Sequence, residues 1–341
     1  MRILVVTNMY PSKERPASGT FVQQQVKGLA DIGLEVELMV MDRAGRGPSA
    51  YYGLAAKAAK RVTDSKCDLV HVMYGGVMAR AVASTVMRIP MVVSLCGDDI
   101  LGTVGTWPIA VARSWLNKMA SIKACKMADG VVVKSKNLAT AIAPFIDRTK
   151  IHLIPNGVDT ERFCPLDRRT CVKLLGWAAD CFHIVFPLNG DPTVKRLRLA
   201  KQSAQLARGL GVPVEFHPLQ GVPHEEMPVW LNASDVLLLT SAHEGSPNIV
   251  KEALACDIPI VSVDVGDVAE RIRGVDGCHI VAPNAMSIAL KLQAVAVRGL
   301  RIEGRSHILD LSLSKVAERL RVLYNVLLEK RQGVGDTLCV E

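Results

Sequence analysis

Asp235-Val-Leu-Leu-Leu-Thr-Ser241, Glu244-Gly-Ser-Pro-Asn-Ile-Val-Lys-Glu252 and Ile258-Pro-Ile-Val-Ser-Val-Asp264 follow one another closely, and their order decides the fold. The first and last are short apolar runs of the kind a parallel sheet buries on both faces. Between them Gly245-Ser-Pro-Asn248 breaks the chain, and Asn248–Cys256 carries a helix. Strand, loop, helix, strand is one turn of a parallel α/β sheet. Two carboxylates, Glu244 and Glu252, bracket the start of that helix. Free N–H groups at a helix start suit a phosphate. An ionised carboxylate accepts two hydroxyl hydrogen bonds at once. A loop of this build fits a sugar nucleotide.

The alternation extends in both directions. Upstream, strands are expected at Ile3–Asn8, Val36–Met41, Leu69–Met73, Met91–Leu95, Gly130–Val133 and Ile151–Ile154, with helices at Gly19–Ile32 and Tyr51–Val62. A second series starts with strand His183–Pro187. Helix Arg196–Arg208, strand Val214–Phe216, helix His224–Ala233, strand Val236–Thr240 and strand Pro259–Val263 follow. Strand His279–Ala282 and helix Ala285–Val297 complete it, and an amphipathic helix over Leu313–Glu329 ends the pattern. Residues 160–182 have weak periodicity and read as the connection between two domains. At 341 residues, two cores are expected rather than one. The divisions are 1–165, 183–312 and a C-terminal helix at 313–330.

Composition narrows the compartment and the chemistry. The apolar run after Arg2 stops at Thr7-Asn8, too short for a signal-peptide core, and reads as a first strand. No apolar run is long enough to span a bilayer. Nine scattered cysteines with no Cys-x-x-Cys and no Cys/His cluster at zinc spacing imply reduced thiols in the cytosol. Residues 1–150 hold 20 Lys and Arg against 11 Asp and Glu, so the whole positive excess of the chain lies in that half. It should meet an anionic partner, either a phosphate-bearing acceptor or the inner leaflet of a membrane; no nucleic-acid partner is expected. Trp107–Met127, with apolar and basic residues interleaved, suits an interfacial helix and equally a core helix with a basic edge. The glycines near the first strand lack the dinucleotide pattern Gly-x-Gly-x-x-Gly, against a nicotinamide or flavin.

Glu244-x7-Glu252 with Glu252-Ala-Leu-Ala-Cys-Asp-Ile-Pro-Ile-Val261, followed by Val265-Gly-Asp-Val-Ala-Glu270, resembles the signature of retaining glycosyltransferases of family 4. Ile154-Pro-Asn-Gly-Val-Asp-Thr-Glu-Arg-Phe163 is a second match, and Asp191-Pro-Thr-Val-Lys-Arg196 a weaker third. The resemblance implies the GT-B fold, two doubly wound Rossmann-like domains facing a central cleft. It also implies sugar transfer from a nucleoside diphosphate, UDP being the commonest in the family, to a hydroxyl of a glycan or lipid-linked glycan. No cofactor and no metal are implied.

By the same resemblance, Glu252 binds ribose hydroxyls, and Glu244 contacts the donor sugar or the charge developing on it. Lys195 neutralises the diphosphate. Ser246, Pro247, Asn248 and Ile249 approach the donor through their backbone, as does Gly19 from the N-terminal domain. Asp98 and Asp99 are expected to bind an acceptor or sugar hydroxyl, or else to cap the helix after them. The chain departs from the family in several places. Asn189, Gly190 and Asp191 replace the arginine usual before Lys195, Arg196 replaces a glycine, and Arg196 or Arg198 is expected to take over phosphate binding. Cys96 stands where a sugar-contacting histidine is usual, and Met73 where a second histidine follows His71. These losses leave a same-fold epimerase or hydrolase, and an inactive glycan-binding subunit, as competing readings.

Overall fold

The computed structural model describes residues 1–15, 18–41, 47–51, 53–86, 88–102 and 108–337. Trp107 and Cys339 lie outside them. The chain divides into two compact units. The first runs to Gly157 and takes up the chain again at Leu313, and the second is essentially Val158–Ser312.

In the first unit β1 (Arg2–Thr7), α1 (Thr20–Asp31), β2 (Glu35–Val40), α2 (Leu54–Asp64), β3 (Leu69–Met73) and α3 (Gly76–Ala83) come first. Then follow β4 (Met91–Leu95), α4 (Asp98–Leu101), α5 (Pro108–Met127), β5 (Gly130–Val133), α6 (Lys136–Ile142) and β6 (Ile151–Leu153). All six strands are parallel, in the order β2-β1-β3-β4-β5-β6. β3, β4 and β5 are buried along their whole length, as their unbroken apolar runs require. Val70, Val72, Val93, Val131 and Val133 pack with Met78, Val82, Ile122 and Cys125 into one core, where each fully buried Val or Leu contributes about 1.5–3 kcal/mol.

The second unit holds α7 (Arg168–Leu175), β7 (Phe182–Pro187), α8 (Leu197–Gly209), β8 (Val214–Leu219), α9 (Met227–Ala233) and β9 (Val236–Leu239). After these come α10 (Asn248–Ala255), β10 (Ile260–Val263), α11 (Val268–Arg271), β11 (His279–Val281) and α12 (Ala285–Arg298). Its sheet is also parallel, in the order β11-β10-β9-β7-β8. Ile184, Phe186, Leu238 and Val261 pack against Ala200, Ala204, Ile288 and Leu292. The last helix, α13 (Leu313–Thr337), belongs to the first unit. There Tyr324 is fully buried and hydrogen-bonded to His71, and the α1 backbone at Gly28 comes close enough to Leu313 that a Cβ would sit 3.2 Å from its carbonyl oxygen.

Two expectations change. The break between units falls at Gly157, ahead of the expected 165, because Val158 donates to Leu311 and the carbonyl of Phe163 accepts from Arg305, both within the second unit. The stretch 160–182, expected as a connection, contains α7. Its signals are at its ends rather than in its periodicity: Asp167 accepts from the Thr170 N–H at 2.8 Å, and Gly176 closes the helix in the left-handed conformation.

Each sheet reverses direction once. In the first the chain leaves β1 for β2 on one side and reaches β3 on the other; in the second it leaves β7 for β8 and reaches β9. At such a switch point the loops leaving two neighbouring strands part, and the gap between them is where open α/β sheets bind ligands. The loops after β1 and β3 flank the gap of the first unit. Those after β7 and β9 flank the gap of the second.

Candidate functional site

The β7 loop, Leu188 to Arg196, is shaped by its own backbone. The Asp191 carboxylate accepts from the Thr193 N–H at 2.8 Å, and its carbonyl accepts from the Lys195 N–H at 3.0 Å. Arg196 ends the turn at φ +51°, a left-handed conformation that costs a non-glycine residue about 1 kcal/mol or more. The β9 side holds it there. Thr240 Oγ1 donates to the Lys195 carbonyl at 2.8 Å, and the Ala242 N–H donates to Val194 at 2.8 Å.

This fixed turn brings Lys195 to the β9 loop. Its ammonium is 2.5 Å from Glu244 Oε1, and both side chains are about one-sixth exposed. The pair therefore sits in the switch-point gap and remains open to solvent.

Beyond Glu244 the loop is locked from below. Ser246 Oγ donates to Asp267 Oδ2 at 2.8 Å, and Arg271 Nε donates to the same oxygen at 2.9 Å. Gly266 lies so close that a Cβ there would stand 2.9 Å from the Gly245 carbonyl oxygen. Asp267 is buried, and its other oxygen has no hydrogen-bond partner among the described residues.

Pro247 then starts α10 with no side chain capping the first turn, and α8 likewise starts at Arg196 without a side-chain cap. By contrast α7 and α12 are capped by Asp167 and Asn284. The two helices that leave the switch point, like α9 and α11, thus start with first-turn N–H groups that no N-cap side chain covers. Positive helix ends with uncovered donors favour an anion. On α10, Glu252 is buried and accepts from or shares a proton with His224 Nε2 at 3.0 Å. His224 in turn rests on the buried ring of Phe163, 5.4 Å between centroids.

Of the expected donor residues, Lys195, Arg196, Glu244, Ser246, Pro247, Asn248, Ile249 and Glu252 all lie on the two switch-point loops or on the helices leaving them. His224 and the Asp267–Arg271 pair were missed. His224 comes from the loop after β8, outside the motif, and Asp267, although inside the Val265–Glu270 stretch, reaches Ser246 through a bond that sequence spacing does not announce.

The first unit's candidates behave differently. Gly19 has φ +68°, and a Cβ would stand 2.3 Å from the Met9 carbonyl carbon and 2.7 Å from the Tyr10 N. Glycine is required there by the chain's own backbone, beside the switch point of this sheet. Asp98 is exposed in the first turn of α4. Asp99 is fully buried and points inward, so it is not offered to an acceptor hydroxyl. Its carboxylate accepts from the N–H groups of Gly75, Cys96 and Gly97 at 2.8–3.0 Å. Burial outweighs these bonds and raises its pKa to about 6.

Around Asp99 lies a buried polar layer. Lys134 is buried, its ammonium has no hydrogen-bond partner among the described residues, and desolvation lowers its pKa to about 8. His71 is held between Tyr324 Oη at 2.6 Å and Ser94 Oγ at 2.7 Å, and burial lowers its pKa to about 3. The same burial pushes the Cys96 thiol far up, so it is no thiolate. Met73, in the place of the second histidine, accepts from Gln25 through its sulfur.

Residues 18–162 match the family model Glycosyltransferase Family 4, and residues 178–296 match Glycosyl transferases group 1. A D-inositol 3-phosphate glycosyltransferase of Geodermatophilus obscurus is 26% identical over 226 residues, 56% of this chain and 50% of that protein. The putative teichuronic acid biosynthesis glycosyltransferase TuaC of Bacillus subtilis is 24% identical over 334 residues, 79% of this chain and 82% of that one. The match spans about half the length of the first curated relatives. Among solved structures, sucrose-phosphate synthase from Thermosynechococcus elongatus superposes with a TM-score of 0.72 at 17% identity, over 97% of this chain and all of that one. Anabaena HepE in complex with UDP and glucose gives 0.64 at 18% identity, over the full length of both. Among the described residues no helix is long and apolar enough to cross a membrane.

Proposed function

The chain belongs to the family 4 glycosyltransferases of GT-B fold, and from that premise we propose that it transfers a hexose from a nucleoside-diphosphate sugar to a hydroxyl of a glycan or lipid-linked glycan, with retention at the anomeric carbon. The observation that carries this reading is the Lys195–Glu244 pair at 2.5 Å in the gap between β7 and β9, flanked by two uncapped helix starts. An ammonium and two helix ends converge where a diphosphate needs neutralising. Carboxylates stand at either side, where hydroxyls need acceptors.

In the reaction so proposed, the bond between the anomeric carbon and the diphosphate oxygen breaks while Lys195 and Arg196 take up the growing negative charge. Glu244, the partner of that lysine, is assigned to the sugar. It accepts a sugar hydroxyl and supports positive charge spreading over the ring. The acceptor hydroxyl attacks from the face the diphosphate leaves, and the departing phosphate oxygen takes its proton. Charge neutralisation rests on Lys195, Arg196 and the helix ends, so the step is written without a divalent metal. Glu252 holds the ribose hydroxyls, its orientation set by His224, and Ser246 is fixed through Asp267 so that the 245–249 backbone follows the donor. UDP, described in the Anabaena HepE structure, is the first base to test.

Acceptor binding falls to the basic first unit, with Asp98 as its exposed hydroxyl acceptor. The same unit presents Ile109, Val111, Trp115 and Leu116 of α5 to solvent beside exposed Arg113, Lys123 and Lys126. An apolar strip edged with cations suits the inner leaflet, where a lipid-linked acceptor would be found.

The test is thermal denaturation with UDP, GDP, ADP, TDP and CMP, followed by transfer from the sugar form of the nucleotide that binds. A ligand at 100 times its Kd adds about 2.7 kcal/mol. One nucleotide should raise the Tm of the wild type by several degrees, and Lys195→Ala and Glu252→Ala should remove that rise. A protein that neither shifts with any nucleotide nor turns over any sugar nucleotide would sink the proposal.

A further inference from the structure

At the opposite end of the second sheet, three side chains converge on one face. His183, the second residue of β7, is the register partner of Glu215 on β8, and His217 stands two residues further along β8. Residues two apart on a strand share a face. His183 Nδ1 lies 3.0 Å from His217 Nε2 and 3.4 Å from Glu215 Oε2, and His217 Nε2 lies 3.6 Å from that same oxygen.

The protons on these groups can be counted. His183 Nε2 is 2.8 Å from the Ala178 carbonyl, an oxygen that can only accept. That nitrogen therefore carries the hydrogen, and in the neutral ring Nδ1 is a bare lone pair. A hydrogen on His217 Nε2 can bridge to His183 Nδ1. It leaves that lone pair facing a carboxylate at 3.4 Å, with no proton between them. A cation among the three atoms resolves all three contacts together.

We infer that His183, Glu215 and His217 form a binding site for a zinc-class divalent cation, separate from the sugar-nucleotide site. A tetrahedral ion holding nitrogen and oxygen ligands at about 2.0–2.1 Å sets them about 3.3–3.4 Å apart, and the three observed separations bracket that value. A metal-bound histidine characteristically donates its other ring N–H to a carbonyl or carboxylate, as His183 does to Ala178. Trp177 covers the site. Its ring stacks on His217 at 3.6 Å and 5° and comes within 4.8 Å of His183. Glu215 is about one-third exposed, which gives the ion an entry and leaves its fourth position to water.

Location decides the role. Lys195 leaves from the far end of β7, and five residues of strand put roughly 15 Å between the two sites. The ion would take no part in sugar transfer. It would tie β8, the edge strand, to its neighbour, and a solvent-facing sheet edge otherwise frays or recruits other chains.

The full chain, dialysed against a chelator and titrated with Co2+ at pH 7.5, tests this. The expected result is one cobalt per chain with the visible absorption of tetrahedral coordination, quenching of Trp177 fluorescence, and displacement by an equivalent of Zn2+. Glu215→Gln and His217→Gln should each weaken cobalt binding by at least about 100-fold, since losing a ligand costs no less than losing a ligand's hydrogen-bond partner. Both variants should keep their circular dichroism and their nucleotide response, which separates this site from the donor site. Absence of stoichiometric cobalt in the wild type would overturn the assignment, as would cobalt bound equally well by the folded double variant. A hydrogen-bonded triad that holds no ion is what either result would mean.

Discussion

Beside the switch point of the first sheet a carboxylate is used up by the protein; at that of the second, carboxylates are left for something else. Asp99 accepts three backbone N–H groups and is fully buried. Glu244 meets one ammonium and stays partly open, while Glu252 meets one imidazole. The topologies are alike, so the sheets cannot account for the contrast. The loops do. In the first unit Asp99 follows a sharp turn at Gly97, whose φ is +149°, and the backbone folds over its side chain. In the second, Thr240 and Asp267 hold the loops by hydrogen bonds, and Lys195 and Glu244 each keep about one-sixth of their side-chain surface exposed.

The largest effect should come from breaking the open side. Lys195→Ala removes the lysine paired with Glu244 at the second gap and should lower kcat by about 100- to 1,000-fold. Its cost in stability should be within about 1 kcal/mol, as for a partly solvated pair. Glu244→Ala should follow with a loss of about 100-fold in kcat and little change in nucleotide Kd. Equal losses in Tm and activity for either variant would show that the pair belongs to the scaffold, as Asp99 does.

Breaking the closed side should do the reverse. Asp99→Ala leaves three buried N–H groups without an acceptor and should cost about 2–4 kcal/mol, read as a Tm lower by several degrees with nucleotide Kd unchanged. Glu252→Ala is the intermediate case. It removes a charge-assisted acceptor, so nucleotide Kd should rise about 10- to 100-fold with only a slight fall in Tm. A rise in Kd for Asp99→Ala as large as that for Glu252→Ala would erase the distinction between the two gaps.

Much of this was legible in the chain itself. Leu69–Met73, Met91–Leu95 and Gly130–Val133 are strands over the residues their apolar runs mark, because strands buried on both faces leave no polar alternation to blur their ends. Helix α3 was not foreseen. Gly76 opens it at φ +74°, and its face is set by Ser121 and Asn117 of α5, partners far along the chain. The loops after β7 and β9 were legible as loops because their residues are local in sequence and carry a motif. The direction of Asp99 was not, since Asp98 and Asp99 are alike until the turn at Gly97 chooses which one enters the core. The cluster of His183, Glu215 and His217 was hidden for a related reason: its spacing follows from strand pairing across α8, and zinc patterns in sequence look for ligands within one turn or hairpin.

The last effect is one of pH in the buried layer around Asp99, and its sign is the informative part. His71 is neutral in the fold with its pKa near 3, against about 6.5 unfolded. Between those values the unfolded chain binds more protons, so this histidine makes the protein less stable as pH falls below about 6.5. Asp99 acts oppositely. Its folded pKa of about 6 lies above the unfolded 3.8, so its share of stability grows as pH falls from 6 toward 4. Each proton contributes a slope of at most about 1.4 kcal/mol per pH unit. The two contributions cancel across pH 4–6 in the wild type, and Lys134, near 8, titrates above that window. His71→Gln keeps a donor and an acceptor for Tyr324 and Ser94 while removing the titration. In urea unfolding at pH 4, 5, 6 and 7, the variant should gain on the wild type steadily below pH 6.5. The difference between the two curves isolates His71 whatever the other groups do. Parallel curves would mean that the ring is protonated or exchanging with solvent, and the closed side of the molecule would then be as open as the gap of the second sheet.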